Sequence, residues 1–351
     1  MIFNQVKRSV AKDRLRFFLY EITIVFLLIF LISIVEWILI PFELNPEIFG
    51  TIFFIIRALG VFLAVPTTIM FIKKFTSFET ELRKKSEISA FKSHFLLYKL
   101  TKSNYKYQFL YGILLLFLVF IPLNFFLYLL FPEIIIHQKV SEGLNLQNSY
   151  LFIDNFIIFL VFLIPIQISI ATVEETINRG FINKRGGEHF NPISAALISA
   201  YSYGFLSLIY YLEPIGGYIN NIFPIVSFFV LFFIGLILSL ITLRRKWLFP
   251  SIFANSMSNI IMFSIIWCFN GTNNVAIFIY IYFPLLIISI ILVIWQYKRI
   301  RESILIGLGM LRTYLKNDKK EDEKTSDKYI RITFDIIFGF LVFLIGLLIT
   351  L

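Results

Sequence analysis

The stretch TVEETINRGF, residues 172–181, places two adjacent carboxylates and an arginine beside a long apolar run. On a helix, Glu175 and Arg179 are four residues apart and share one face, so they can form an ion pair, whereas Glu174 is rotated by about 100° toward a different neighbour. One carboxylate held by an arginine, beside a second that handles water, suits general acid–base chemistry. The alternative is a helix end that carries ordinary charges at a membrane interface.

Histidine and cysteine offer little further chemistry. The single cysteine, Cys268, can form neither an internal disulfide nor a multi-cysteine zinc site. We expect His94, His137 and His189 to lie in loops or interfacial stretches, with none inside a membrane span. Because a catalytic zinc normally takes three ligands from histidine, cysteine and carboxylate, the sequence predicts no metal site and no cofactor.

The elements that must position these residues are membrane helices. Of the 351 residues, 58% are hydrophobic and only 15% are charged, which is more apolar than a soluble core requires. Apolar runs of about 20 residues recur, and that length crosses the roughly 30 Å hydrocarbon core as a helix. We therefore expect an all-α, polytopic integral membrane protein with about nine spans, near 17–40, 51–72, 108–131, 151–173, 193–212, 221–242, 247–268, 276–295 and 332–351.

The distribution of lysine and arginine predicts the orientation of these spans. Basic residues concentrate in the N-terminal tail, in 73–106, in 179–185, in 244–246 and in 298–331, while the intervening loops hold almost none. We expect a multi-pass protein of a bacterial plasma membrane, with a cytoplasmic N-terminus and an external C-terminus. The net charge of +10 then indicates anionic lipid of the bilayer as a partner, and no nucleic acid.

Other polar positions have structural interpretations. Residues 80–106 mix charged and apolar side chains, which fits an interfacial helix on the inner leaflet or, equally, an ordinary loop. Within the spans, we expect Arg57 to pair with a carboxylate for structural reasons, and Asp154 to reach water near the outer edge. Residues 316–328, KNDKKEDEKTSDK, are predicted to be a solvated linker.

The segment EETINRG resembles the EExxxR signature of the CPBP (CAAX protease and bacteriocin-processing, Abi) family of intramembrane endopeptidases, which includes the type II CAAX prenyl endopeptidases. The resemblance continues through ISAALISAYSYGFLSL and RRKWLFPSIFANSMSNIIMF and covers roughly residues 150–270. It implies a CPBP-like core in 151–270. The apolar runs and the charge pattern predict N-terminal membrane helices with a cytoplasmic amphipathic segment in 1–150, and C-terminal membrane helices with a charged cytoplasmic linker in 271–351.

This chain departs from the family pattern at both motif histidines. The FxxxH motif aligns with Tyr203 to Ser207, and the HxxxN motif with Asn255 to Asn259, so serine and asparagine stand where the family has histidine. The resemblance implies catalytic positions at Glu174, Glu175, Arg179, Asn255 and Asn259, and binding positions at Tyr203 and Ser207. Ser207 and Asn255 are weak neutral donors, so tightly bound zinc is not expected.

Three functions remain open. The lost histidines favour a pseudoenzyme, a membrane scaffold that binds a membrane or cell-envelope protein, as in relatives that resemble the lysostaphin resistance protein. The alternative is an active CAAX-type endopeptidase, in which Glu174 or Glu175 activates water and Asn255 and Asn259 polarise the scissile carbonyl of a peptide substrate. Without histidine, the rate of peptide cleavage by such an endopeptidase would fall by ~10²-fold or more. Zinc would be a cofactor only under this hypothesis. A transporter is the third hypothesis, although no internal repeat or pair of broken helices supports it.

Overall fold

The computed structural model describes residues 12–37, 45–75, 90–135, 146–212, 222–268, 278–316 and 323–350, and within these ranges the chain is helical, with no strand. Eight of its helices are long and apolar enough to cross a membrane, so the chain is an all-α polytopic membrane protein, as predicted. In chain order the helices are α1 (Lys12–Ile32), α2 (Pro46–Phe71), the short α3 (Ala90–Phe95), α4 (Tyr105–Leu130), α5 (Phe156–His189), the shorter α6 (Pro192–Leu208), α7 (Phe223–Arg245), α8 (Phe249–Cys268), α9 (Tyr280–Tyr314) and α10 (Thr325–Leu347).

Helix α6, predicted as a span over 193–212, is shorter than its neighbours and lies at the centre of the bundle. It packs between α7 and α10 and against the second half of α5. Small residues permit the close approach. A Cβ on Gly235 of α7 would lie 3.2 Å from the Ala200 Cα, and a Cβ on Gly339 of α10 would lie 2.5 Å from the Tyr201 Cβ.

Helix α5 continues well beyond its predicted end at residue 173. It is α-helical over Phe156–Glu175, a π-helix over Thr176–Asn183, and α-helical again over Lys184–His189. The predicted span over 151–173 therefore ends too early, since the helix runs to His189. The helix persists because protein neighbours, rather than water, satisfy its polar groups: Asn183 Nδ2 donates to the Ser239 carbonyl oxygen at 2.9 Å. The two glutamates consequently lie in the middle of a helix, immediately before a π-helical turn of the kind often found at functional sites.

The segment before α4 is anchored to the bundle. Residues 76–89 lie outside the described ranges, but His94 and Leu97 are buried. The Tyr98 hydroxyl donates to Thr176 Oγ1 at 2.8 Å, and the Leu248 amide donates to the Leu97 carbonyl oxygen at 2.9 Å. The described part is thus neither a free loop nor a helix that rests only on lipid.

A buried polar cluster joins the first and last helices to α6. Arg14 Nε lies 2.6 Å from Asp335 Oδ1, and Arg14 Nη2 donates to Ser194 Oγ at 3.0 Å. The Tyr314 hydroxyl donates to Asp335 Oδ2 at 2.7 Å. Each buried charge has an opposite charge or a hydrogen bond, as the apolar surroundings require. Helix α10 begins at Thr325, within the stretch predicted to be a linker.

The structure also describes the polar positions Glu21, Arg57 and Asp154. Glu21 is buried in α1, where Arg185 Nε and Nη2 bond it at 2.9 and 3.0 Å and His189 Nε2 lies 2.5 Å away. Arg57 borders the central cavity, with its guanidinium 5.9 Å from the Phe53 ring centroid. Asp154 is exposed, and His137 lies outside the described residues.

Candidate functional site

The site is built around a buried ion pair on α5. Arg179 Nη1 lies 3.0 Å from Glu175 Oε1, and both side chains are fully buried. This is the pair that the four-residue spacing predicted. The Arg179 guanidinium also lies 4.6 Å from the centroid of the Tyr203 ring on α6, in cation–π contact. Arg179 therefore holds one carboxylate and one aromatic ring in place.

Asn255 on α8 bridges the two carboxylates. Its Nδ2 donates to Glu174 Oε2 at 2.8 Å and to Glu175 Oε1 at 3.3 Å. The Tyr203 side chain lies beside both Glu174 and Asn255. Side chains from α5, α6 and α8 thus converge on one polar centre within an apolar bundle.

This polar centre opens onto a cavity of about 610 Å³. Glu174 lines the cavity, whereas Glu175 and Arg179 are not among its lining residues. The structure therefore assigns different environments to the two glutamates, a point that sequence spacing left open. Other polar side chains in the wall are Arg57, Asn124, Tyr128, Asn148, Gln167, Asn178, Ser202, Tyr203, Tyr210, Ser227, Asn255, Ser258 and Asn259, and the apolar part includes Phe26, Phe54, Met262 and Phe343.

Residues 155–261 match the protein family described as Type II CAAX prenyl endopeptidase Rce1-like. This segment is an Rce1-like domain. It includes α6, α7 and the portions of α5 and α8 that carry both glutamates, Arg179, Asn255 and Asn259, and the match agrees with the resemblance drawn from the EExxxR signature. No curated protein and no solved structure matches the chain.

In the Rce1-like domain, Tyr203 rather than Ser207 stands beside the carboxylates. The Ser207 Oγ is buried and has no hydrogen-bond partner among the described residues. Ser207 lies one helical turn beyond Tyr203, about 6 Å further along the axis, in the tighter turn Leu206–Leu208. The two predicted binding positions therefore differ, because Tyr203 lines the cavity beside Glu174 and Ser207 is not among the lining residues.

The donor set of the Rce1-like domain does not fit a zinc ion. No group of three histidine, cysteine, aspartate or glutamate side chains that could hold a metal occurs within the described residues. The Asn255 N–H groups point at the two carboxylates, and Arg179 lies against Glu175. A hydrogen-bond donor and a cation thus face the oxygens that would otherwise be ligands, so the chemistry available here is that of carboxylate, amide and phenol.

The spacing of residues in the sequence did not predict that the segment before α4 contacts α5 next to the candidate site. Tyr98 contacts Thr176, directly after Glu175, and the His94 ring lies against the backbone of Gly180. Burial, followed by the positive charge of Lys184, lowers the pKa of His94 to about 4, so this imidazole is neutral at pH 7. No local pattern in KSHFLLYKL indicates these contacts, because they join residues about 80 positions apart.

Proposed function

We propose that the chain is a CAAX-protease-type membrane protein that has lost efficient peptidase activity and binds a lipidated or membrane-embedded peptide segment in its central cavity. The observation that carries this proposal is the set of side chains around the two carboxylates. Asn255, Arg179 and Tyr203 hold them, and no imidazole contacts them among the described residues.

Peptide hydrolysis needs a base that activates water and an acid that protonates the leaving amine. Glu174 faces the cavity and could serve as the base. The groups beside it are an amide, which transfers no proton, and a phenol, whose ordinary pKa near 10 makes it a poor acid at neutral pH. This supports turnover slower by ~10²-fold or more than with a histidine in place.

The cavity supports the binding half of the proposal. Its wall combines aromatic and aliphatic side chains with a cluster of amides and hydroxyls near Glu174. Such a wall complements an amphipathic ligand, whose apolar part lies among the phenylalanines and whose backbone carbonyls accept hydrogen bonds from the asparagines. A prenylated CAAX-type peptide, the substrate class in the family's description, has this character.

A weakly active endopeptidase is the second candidate. The observation that favours it is the position of Glu174 on the cavity wall with Asn255 and Asn259 alongside. A water molecule between Glu174 and a bound carbonyl could be activated there, with the Asn259 amide as an oxyanion donor, since both N–H groups of Asn255 already bond the carboxylates. Both candidates use the same cavity, and they differ only in whether the bound peptide is cut.

The basic residues near one end of the bundle support the proposed sidedness. Arg185, Arg244 and Lys246 lie at or near the ends of α5 and α7 that the positive-inside rule assigns to the cytoplasm. We therefore place the N-terminus in the cytoplasm, the C-terminus outside, and the protein in the plasma membrane, where its partner would be a membrane or cell-envelope protein or peptide.

Reconstituted protein tests the proposal directly. A farnesylated CAAX-type peptide is added to proteoliposomes that contain the native chain or the Glu174→Ala variant, and cleavage is followed by mass spectrometry. A photoreactive phenylalanine analogue at Phe54, in the cavity wall, reports binding, and the same analogue at the exposed Phe233 is the matched control.

We expect crosslinking at Phe54 but not at Phe233, and no more cleavage by the native protein than by Glu174→Ala. Cleavage that Glu174→Ala abolishes would overturn the non-catalytic proposal and establish the second candidate. Equal crosslinking at the two positions, without cleavage, would contradict both.

A further inference from the structure

Helix α9 is too long to be a simple membrane span. It extends over 35 residues, Tyr280–Tyr314, which at 1.5 Å per residue is about 50 Å, against a hydrocarbon core of roughly 30 Å. The helix is interrupted at Gln296, whose φ of −103° and ψ of 16° are not helical. The 16 residues before this kink are apolar, whereas basic residues begin immediately after it, at Lys298.

The part after the kink packs against α7, α6 and α10. Arg244, at the end of α7, donates through Nη1 to Ser303 Oγ at 3.1 Å. Leu311 packs against a buried cluster that includes Leu197 and Ala200 of α6 and Leu236 of α7. The Tyr314 hydroxyl donates to Asp335 of α10 at 2.7 Å. These contacts hold the inner side of residues 297–316 against the bundle and leave its other side outward.

The outward side of this part carries an apolar stripe. Tyr297, Ile304, Leu308 and Leu315 are spaced by seven, four and seven residues, so they lie along one line of the helix surface. Each is between 55% and 58% exposed. Four large apolar side chains exposed in a row require an apolar neighbour from outside the chain.

A basic row lies next to the apolar stripe. Lys298, Arg301, Arg312 and Lys316 are all exposed, and their spacing of three, eleven and four residues places them along an adjacent line. Glu302 is the one acidic residue in 297–316, and Arg244 bonds it at 2.8 Å. The outward face therefore combines a positive row with an apolar row.

We propose that residues 297–316 form an interfacial helix that binds the headgroups of anionic lipids through Lys298, Arg301, Arg312 and Lys316 while the apolar stripe enters the acyl boundary. An amphipathic helix with arginine and lysine beside a leucine-rich stripe is suited to this depth of a bilayer. The positive row favours anionic headgroups as the occupant over a zwitterionic surface. The assignment is independent of the peptide proposed for the cavity.

Depth measurements on the full chain test the assignment. In a Cys268→Ser background, an environment-sensitive fluorophore is attached at Leu308→Cys, in the apolar stripe, or at Thr313→Cys, an exposed position about 140° away around the helix. Each protein is placed in nanodiscs of phosphatidylcholine with increasing phosphatidylglycerol. Quenching by brominated lipid reports the depth of the fluorophore.

We expect strong quenching at Leu308→Cys, little at Thr313→Cys, and an increase at Leu308→Cys as phosphatidylglycerol is added. Each basic residue raises the association constant of such a helix for an anionic surface roughly fivefold. The triple variant Lys298→Gln, Arg301→Gln, Arg312→Gln should therefore lower that constant by on the order of 100-fold, and the increase in quenching with phosphatidylglycerol should be lost.

Three outcomes would overturn the assignment. Equal quenching at the two positions would mean that the stripe does not enter the boundary. A depth that is unaffected by phosphatidylglycerol and by the glutamine substitutions would exclude anionic headgroups as the occupant. Crosslinking between two chains at Leu308→Cys, without lipid quenching, would show that a second copy covers the stripe.

Discussion

The buried pair of Glu175 and Arg179 gives a quantitative prediction. Arg179→Met removes the only cation in contact with the fully buried Glu175 among the described residues and keeps a side chain of similar length. Loss of one partner of a buried ion pair costs about 3–5 kcal/mol of unfolding free energy, because the remaining charge is uncompensated. Loss of the contact with the Tyr203 ring adds about 1 kcal/mol. We therefore expect a total of about 4–6 kcal/mol.

A double variant separates the charge effect from the loss of packing. Glu175→Gln with Arg179→Met leaves no charge in the pair, and replacement of a buried ion pair by neutral groups is often close to neutral in stability. The double variant should therefore recover most of the loss. Arg244→Met is the control, because Arg244 pairs with the largely exposed Glu302 and should cost less than about 1 kcal/mol.

The assay is equilibrium unfolding of the purified protein in mixed micelles with increasing dodecyl sulfate, followed by tryptophan fluorescence. The reasoning is refuted if Arg179→Met lies within about 1 kcal/mol of the native protein, the size of an ordinary surface substitution. It is also refuted if the double variant is as unstable as Arg179→Met, since the loss would then come from packing alone.

Three further predictions follow from single contacts. The native protein should contain no stoichiometric zinc when measured by inductively coupled plasma mass spectrometry. The double variant Tyr203→His, Asn255→His should bind zinc. Zinc in the native protein would contradict the inference that its side chains do not fit this metal. Gly339→Ala should lower the free energy of unfolding by about 1–3 kcal/mol, because its Cβ would meet α6 at 2.5 Å. The control, Gly309→Ala, has no atom within 4 Å of the new Cβ and should be neutral or stabilising by up to about 1 kcal/mol. The pKa of His94 is lowered to about 4 in the folded protein, so between pH 4 and pH 6.5 the unfolded chain binds more protons than the folded chain. The free energy of unfolding should therefore fall by about 3 kcal/mol as the pH decreases through this window. The variant His94→Phe should remove this pH dependence in thermal melts.

The sequence predicted helices correctly where the composition of the segment alone determines that it is helical. Apolar runs of membrane length predicted the all-helical, polytopic fold, because each backbone must satisfy its own hydrogen bonds in hydrocarbon. The continuation of α5 was not predictable in this way. Residues 176–189 are polar enough to end a span, and they remain helical because α6, α7 and the segment before α4 bury them.

Some contacts of the candidate site follow from the sequence alone, and others depend on how the helices pack. The contact between Glu175 and Arg179 follows from a spacing of four residues on one helix, which the sequence specifies by itself. The bridge from Asn255 to both glutamates joins positions about 80 residues apart. No local pattern specifies that contact, because it depends on how α5 packs against α8.

The sequence by itself determined the membrane-helical fold, the resemblance of residues 150–270 to the CAAX protease family, and the ion pair within α5. These depend on composition and on spacing within one helix. Only the tertiary structure decided that Glu174 faces the cavity while Glu175 is enclosed, and that Tyr203 rather than Ser207 stands beside them. The physical reason is that the rotation and depth of each helix are set by packing against its neighbours.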